Sequence, residues 1–227
     1  MLPEAVQIER HLAEHFAAHE GLPGWAAFVR EWAVARIQAK RSFVNAATLL
    51  RMEEDAETCL DELISVFRAA GVGAGLWLTP GSLPGTLPVL LKARAFRLRR
   101  LHAAMHRPLD TRVPRFATDG WEIAPASAEG LPPGAHALAA RHRGKRLGGC
   151  VVTLGREGAG LHDVEVDPRH RNRGIGTSLV LAACAFAQDR GAPSLGLVAT
   201  GLGESVYERC GFREVARFGY WYSALTP

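Results

Sequence analysis

Apolar positions recur at helical or strand periods along most of the chain. From Pro3 to Glu20, Val6, Ile8, Leu12, Phe16 and Ala17 fall near helical spacing, and Gly21-Leu22-Pro23-Gly24 ends the run. Trp32–Ile37 and Phe43–Leu50 are apolar and partly alternating, which predicts two strands. Between Glu54 and Ala70, Leu60, Leu63, Ile64 and Phe67 recur at i, i+3, i+4, i+7 and predict a helix stopped by Gly71 and Gly73. A strand (Gly75–Leu78), a Pro/Gly-rich turn (Thr79–Pro84), a short helix (Thr86–Ala93) and a strand (Phe96–Met105) follow.

Periodicity lapses between Arg107 and Thr118, where Pro108, Pro114 and several charges mark a linker. A second series then predicts strands at Trp121–Ala124, Ala135–Arg141, Leu147–Leu154 and Leu161–Val166. A long helix follows from about Gly174 to Arg190, then a strand (Ser194–Ala199), a short helix (Glu204–Arg209) and a last strand (Arg213–Ser223). The pattern is α/β with mixed sheets, divided as 1–110, a linker 111–118, and 119–227. Both halves end in helix, Gly stop, apolar strand, loop, short helix, a small residue plus Phe, and strand. The segments are FRAAG…LWLTP…LLKARAF and AQDRG…LGLVAT…VYERCGF, and the shared order reads as an internal duplication.

Composition narrows the function classes. The 227 residues are 48% hydrophobic and 22% charged, which excludes a largely disordered or collagen-like chain. The longest apolar run, near Leu179–Ala187, is too short for a membrane span. The N-terminus lacks a basic segment followed by an apolar one, so a cytoplasmic location is expected. The net charge of +4 favours anionic ligands mildly, and no Lys/Arg-rich run marks a nucleic-acid or membrane patch. Cys59, Cys150, Cys184 and Cys210 lack C-x-x-C spacing and read as buried free thiols. His11, His15 and His19 share a helical stripe, read as an exposed polar face; no metal is expected.

The chemistry concentrates in Val164-Glu165-Val166-Asp167-Pro168-Arg169-His170-Arg171-Asn172-Arg173-Gly174-Ile175-Gly176-Thr177. A strand ends, a basic loop follows, and two glycines open a long apolar helix. Glycine lets backbone approach a ligand closely, and first-turn N–H groups lack intrahelical partners. Together with the positive end of the helix dipole they suit a diphosphate. The three-glycine dinucleotide fingerprint and the G-x-x-x-x-G-K-[ST] loop are both absent.

What stands there is R-x-x-G-x-G, Arg171 to Gly176. With Val206-Tyr207-Glu208-Arg209-Cys210-Gly211-Phe212 about 30 residues on, it resembles the GCN5-related N-acetyltransferases, or GNAT proteins. The resemblance covers about Trp121–Ala224 well. It implies a GNAT acyl-CoA fold in the C-terminal half and a degenerate GNAT-like copy in the N-terminal half. That copy has Arg51-Met52-Glu53-Glu54-Asp55 before its helix, and Leu91 at the position of Tyr207.

The resemblance further implies that acetyl-CoA is the acyl donor and an amine the acceptor. Pantetheine would lie along Val164, Glu165 and Val166, and the diphosphate at Arg171, Asn172, Arg173, Gly174, Ile175, Gly176 and Thr177. Tyr207 would be the general acid. Strand alternation puts His162 on one face with Val164 and Val166, making it the candidate base, with Asp163 and Glu165 turned away. Only Pro125–Gly134 stands where the family carries two helices, leaving the acceptor wall to the first half or to a partner chain, as in a homodimer. Thr200 replaces a frequent family Asn. A non-catalytic acyl-CoA-binding or regulatory module, or transfer of a bulkier acyl or aminoacyl group, stays open at this point.

Overall fold

The computed structural model describes residues 3–38, 45–52, 55–114, 120–127, 129–155 and 157–225. Phe43, Val44, Glu53, Glu54 and 115–118 of the expected linker lie outside the described residues. The chain forms two compact units, 1–102 with 216–227, and 103–215.

The first unit contains α1 (Pro3–Ala17), β1 (Ala26–Arg30), β2 (Ala33–Ile37), β3 (Ala46–Arg51), α2 (Ala56–Ala69), β4 (Ala74–Leu83), α3 (Leu87–Ala93) and the start of β5 (Arg97–Pro108). β1, β2 and β3 pair antiparallel in turn, β3 and β4 parallel. The strand β1 is an addition to the expected elements. The expected turn Thr79–Pro84 is mostly an irregularity inside β4: the register jumps from Leu49↔Leu78 to Arg51↔Leu83. Leu60, Leu63 and Phe67 of α2 and Leu91 of α3 pack with Leu49 and Leu76 on one face. Leu12 and Phe16 of α1 pack with Val34, Ala46 and Trp77, which alternate with the first set and so face the other way.

His11, His15 and His19 are buried, contrary to the exposed stripe expected. They continue the i+3/i+4 row of Ile8, Leu12 and Phe16, so the helix turns them toward the sheet. Arg36 Nη1 donates to His15 Nε2 at 2.9 Å, its guanidinium lies 4.9 Å over the Phe16 ring, and His19 Nδ1 donates to the His15 carbonyl at 2.8 Å. These contacts satisfy polar groups that would otherwise need water.

The second unit contains the rest of β5, then β6 (Glu122–Pro125), β7 (Ala135–His142), β8 (Lys145–Leu154), β9 (Ala159–Val166), a 3-10 turn (Pro168–His170), α4 (Ile175–Gln188), β10 (Ser194–Val198), α5 (Glu204–Arg209) and the start of β11 (Arg213–Ser223). Its sheet runs β6-β7-β8-β9-β10-β5; among the described residues the β9–β10 contact is parallel and the others are antiparallel. Leu179, Val180, Ala183 and Cys184 of α4 pack on Leu138, Cys150, Val152 and Leu161, and α5 adds Tyr207 to the same core. The closing strands cross over in sequence. The later part of β5 pairs with β10 in the second unit, and the end of β11 pairs with β4 in the first, Gly219↔Leu78 to Ser223↔Ala74. Among the described residues no helix is long and apolar enough to cross a membrane.

Candidate active site

β9 and β10 begin as parallel neighbours and then part. Among the described residues their paired positions are Leu195↔Ala159 and Gly196↔Gly160; β9 continues to Val166 and β10 to Val198 without further partners between them. On its other side β9 stays paired with β8 through Gly148↔Val166. The end of β9 therefore has one edge with no strand paired to it among the described residues. The Asp167 N–H donates to Leu147 O at 2.8 Å, toward β8. Successive N–H groups of an extended chain point to opposite edges, so the Val166 N–H points into the gap.

A bulge lies within this edge. Val151 faces His162 and Gly149 faces Glu165, so β9 carries one residue more than β8 over the interval, and Asp163 sits there at φ 50°. A left-handed residue in a bulge is a known way to re-aim a strand. It corrects the expected alternation. His162 and Glu165 share one face, while Val164 and Val166 pack against the core under α4. His162 Nε2 is 3.0 Å from Thr153 Oγ1, and Glu165 Oε1 accepts from Arg146 Nη2 at 2.7 Å.

Beyond β9 the loop is shaped by Asp167. Its carboxylate accepts the Arg169 N–H at 3.0 Å and the Arg169 guanidinium at 2.7 and 3.1 Å. These bonds hold the carboxyl well below the usual carboxylate range and neutralise Arg169. Arg171 folds back, its Nε donating to Val166 O at 3.3 Å. Arg173 is exposed and, among the described residues, forms no ion pair.

Asn172 (φ 61°) and Gly174 (φ 82°) are left-handed on either side of Arg173. Such alternation turns successive N–H groups toward a common concavity. Gly174 is the N-cap of α4 and, among the described residues, no side chain caps it; the first helical bond is Ser178 N–H to Gly174 O at 2.9 Å. A Cβ on Gly176 would meet Val166 Cγ2 at 3.7 Å and Val206 Cγ1 at 4.0 Å, so this residue opens between the end of β9 and α5. The Arg171–Thr177 stretch thus forms one uncapped helix start beside the free edge.

Known proteins bear on this geometry. The model of the acetyltransferase (GNAT) family matches residues 97–212, from the start of β5 to just after α5. The chain belongs to the GNAT acetyltransferase family. Solved structures agree on the fold. A GCN5-related N-acetyltransferase from Kribbella flavida superposes with a TM-score of 0.71 at 16% identity, covering 96% of this chain and 95% of that one. One from Sphaerobacter thermophilus gives 0.61 at 16% identity over 99% and 93%. A tandem GNAT protein from the clavulanic acid biosynthesis pathway gives 0.58 at 14% identity over 98% and 96%. No curated protein sequence matches. The GNAT chain is an acyltransferase.

In this GNAT enzyme Tyr207 is buried in the core on the α4 side, its ring 6.0 Å from that of Phe212. Burial, with the Cys150 and Cys210 thiols nearby, pushes its phenol up to about 12. His162 lies on the opposite face of the sheet, so the structure does not bring the two catalytic candidates together on one face. Sequence reasoning missed the Asp163 bulge, the Thr153 partner of His162, and Arg107, a buried cation beside α5. None carries a local motif; only the paired register reveals the bulge. Among the described residues no group of three His, Cys, Asp or Glu is placed to hold a metal.

Proposed function

We propose that this GNAT acyltransferase moves an acetyl group from acetyl-CoA directly to a primary amine. The observation that carries the reading is the free edge of β9 lying next to the uncapped start of α4. One offers backbone groups to an extended amide-bearing arm, the other N–H groups to a diphosphate. The bound donor supplies an acetyl group activated as a thioester. Ile175, Gly176 and Thr177 give first-turn N–H groups, and Arg173 gives charge. Val164, Glu165 and Val166 give the pairing edge, and the Val166 N–H faces the gap where a thioester oxygen can be polarised.

The opposite placement of His162 and Tyr207 suits a reaction with two entries. The amine approaches from the His162 face, and the sulfur lies toward Tyr207. His162, its Nε2 near Thr153, takes a proton from the incoming ammonium. Tyr207 stabilises the leaving sulfur. With its phenol near 12 against about 8.5 for an ordinary thiol, full transfer is uphill before the site rearranges, so its first contribution is a charge-assisted hydrogen bond. Positioning two reactants across one gap can supply up to about 7–11 kcal/mol.

Thermal unfolding tests the donor site: acetyl-CoA raises Tm, and Gly174→Glu removes the rise. No shift at millimolar acetyl-CoA rejects the donor site. A thiol-release screen over pooled amines, with products identified by mass, tests the acceptor class; release without any acetylated amine counts against it.

A further inference from the structure

We propose that Arg107 is a positioning residue that fixes the C-terminal end of α5, and through it the place of the Tyr207 hydroxyl; this rests on the reading of Tyr207 as the group facing the sulfur. The argument begins with the end of the helix. α5 finishes in a reversal at Gly211 (φ 83°), where Phe212 N–H donates to Tyr207 O at 3.0 Å and Gly211 N–H to Glu208 O at 2.9 Å. This is the arrangement by which a left-handed glycine satisfies the last carbonyls of a helix. It leaves the Cys210 carbonyl over, and Arg107 Nη1 donates to that oxygen.

The same nitrogen is 3.8 Å from Cys184 Sγ on α4. The side chain also lies against Gly211, where a Cβ would come within 3.6 Å of Nε and 3.7 Å of Cζ. One side chain from β5 thus ties together the helix whose start forms the proposed diphosphate site and the helix that carries Tyr207. Arg107 is only 8% exposed, and among the described residues no carboxylate pairs with it. A buried unpaired cation is costly, and an apolar side chain of similar volume is often the more stable choice. The negative end of α5 offsets part of that cost. What an apolar residue cannot do is hold the end of a helix of fewer than two turns at one angle. Tyr207 lies one turn from that end, so a loosened terminus displaces its hydroxyl directly.

The test is a double-mutant cycle read on bound CoA, by following thiolate absorbance against pH in the enzyme–CoA complex. A hydrogen bond from Tyr207 lowers the bound thiol's pKa. Tyr207→Phe should raise that pKa by about one unit. Arg107→Met should raise it by a similar amount while Tm stays level or rises, and should add nothing in the Tyr207→Phe background. Arg107→Lys, which keeps one donor without the fork, should fall about halfway between wild type and Arg107→Met. It carries the test if the Met variant does not fold. A wild-type thiol pKa in the Arg107 variants, with the Tyr207→Phe shift intact, overturns the positioning role alone, as do fully additive effects. An unchanged thiol pKa in Tyr207→Phe overturns the tyrosine reading and this proposal with it.

Discussion

The two units hold a helix at the same point of their strand order, between two parallel strands, and start it in opposite ways. In the first, β3 and β4 pair from Ala46↔Gly75 through Leu49↔Leu78 and again at Arg51↔Leu83, and α2 starts on Asp55. That carboxylate accepts the Glu57 N–H at 3.0 Å and the Thr58 hydroxyl at 2.6 Å. An internal anion occupies the positive end of the helix and the strands beside it stay closed. In the second, β9 and β10 part after two pairs and α4 starts on an uncapped left-handed glycine. The same contrast recurs at the short helices, where Leu91 is fully buried in an apolar core while Tyr207 brings a hydroxyl. A helix start can either satisfy its own N–H groups or leave them for a ligand. Which it does is set by one residue at the cap and by whether the flanking strands separate.

Imposing the first arrangement on the second gives the largest expected effect. Gly174→Glu adds a carboxylate where Asp55 has one, and should lower acetyl-CoA affinity by about a hundredfold or more, read as loss of the thermal shift. Gly174→Asn, which tolerates left-handed backbone without adding charge, should retain much of that shift. Next comes Tyr207→Phe, which removes the difference between the short helices. It should lower turnover by roughly a hundredfold with little change in CoA affinity, measured by steady-state thiol release. An unchanged rate removes the acid role.

Asp55→Ala tests the closed side. It should lower Tm by a few degrees through loss of the cap and leave acetyl-CoA binding at wild-type strength. Altered CoA affinity in that variant would erase the contrast. The smallest effect is in alkali. Burial pushes Cys150 and Cys184 up to about 12, Cys210 to about 11 and Tyr207 to about 12. Unfolded thiols and phenols lose their protons earlier, from about 8.5 and 10. Between roughly pH 9 and 12 the native state binds more protons, so stability falls as pH rises through this window. Tm measured from pH 8 to 11 should decline, less steeply in Cys150→Val. A flat profile would place these thiols in contact with water.

The helix start at Gly174 and the α5 segment were legible because each is a local contiguous pattern: glycine, charge and a helical apolar period speak for themselves within a dozen residues. The division of strands and helices followed for the same reason, although β1 escaped because Ala26–Arg30 is short and mostly exposed. The histidine stripe is buried against expectation because its place on the row of Ile8, Leu12 and Phe16 outweighs its polar residue type. The face of His162 departs from simple alternation because alternation holds only for equal residue counts on both strands. Asp163, an exposed aspartate in a run of alternating polarity, gives no sign that it is the additional one. In the sequence Arg107 reads as the start of a linker, since nothing nearby announces a carbonyl 103 positions later.

The pairing of β11 with β4 places Gly219–Ser223 in the sheet of the unit that begins the chain. During synthesis the nascent first unit therefore lacks one of its strands until every element from α3 to α5 has been made. At about 5–20 residues per second this leaves β4 an open edge for roughly ten seconds or more. The second unit has all its strands nearer to hand and can settle first, so a shortened C-terminus would cost the first unit the strand beside β4 while leaving the proposed donor site of the second largely built.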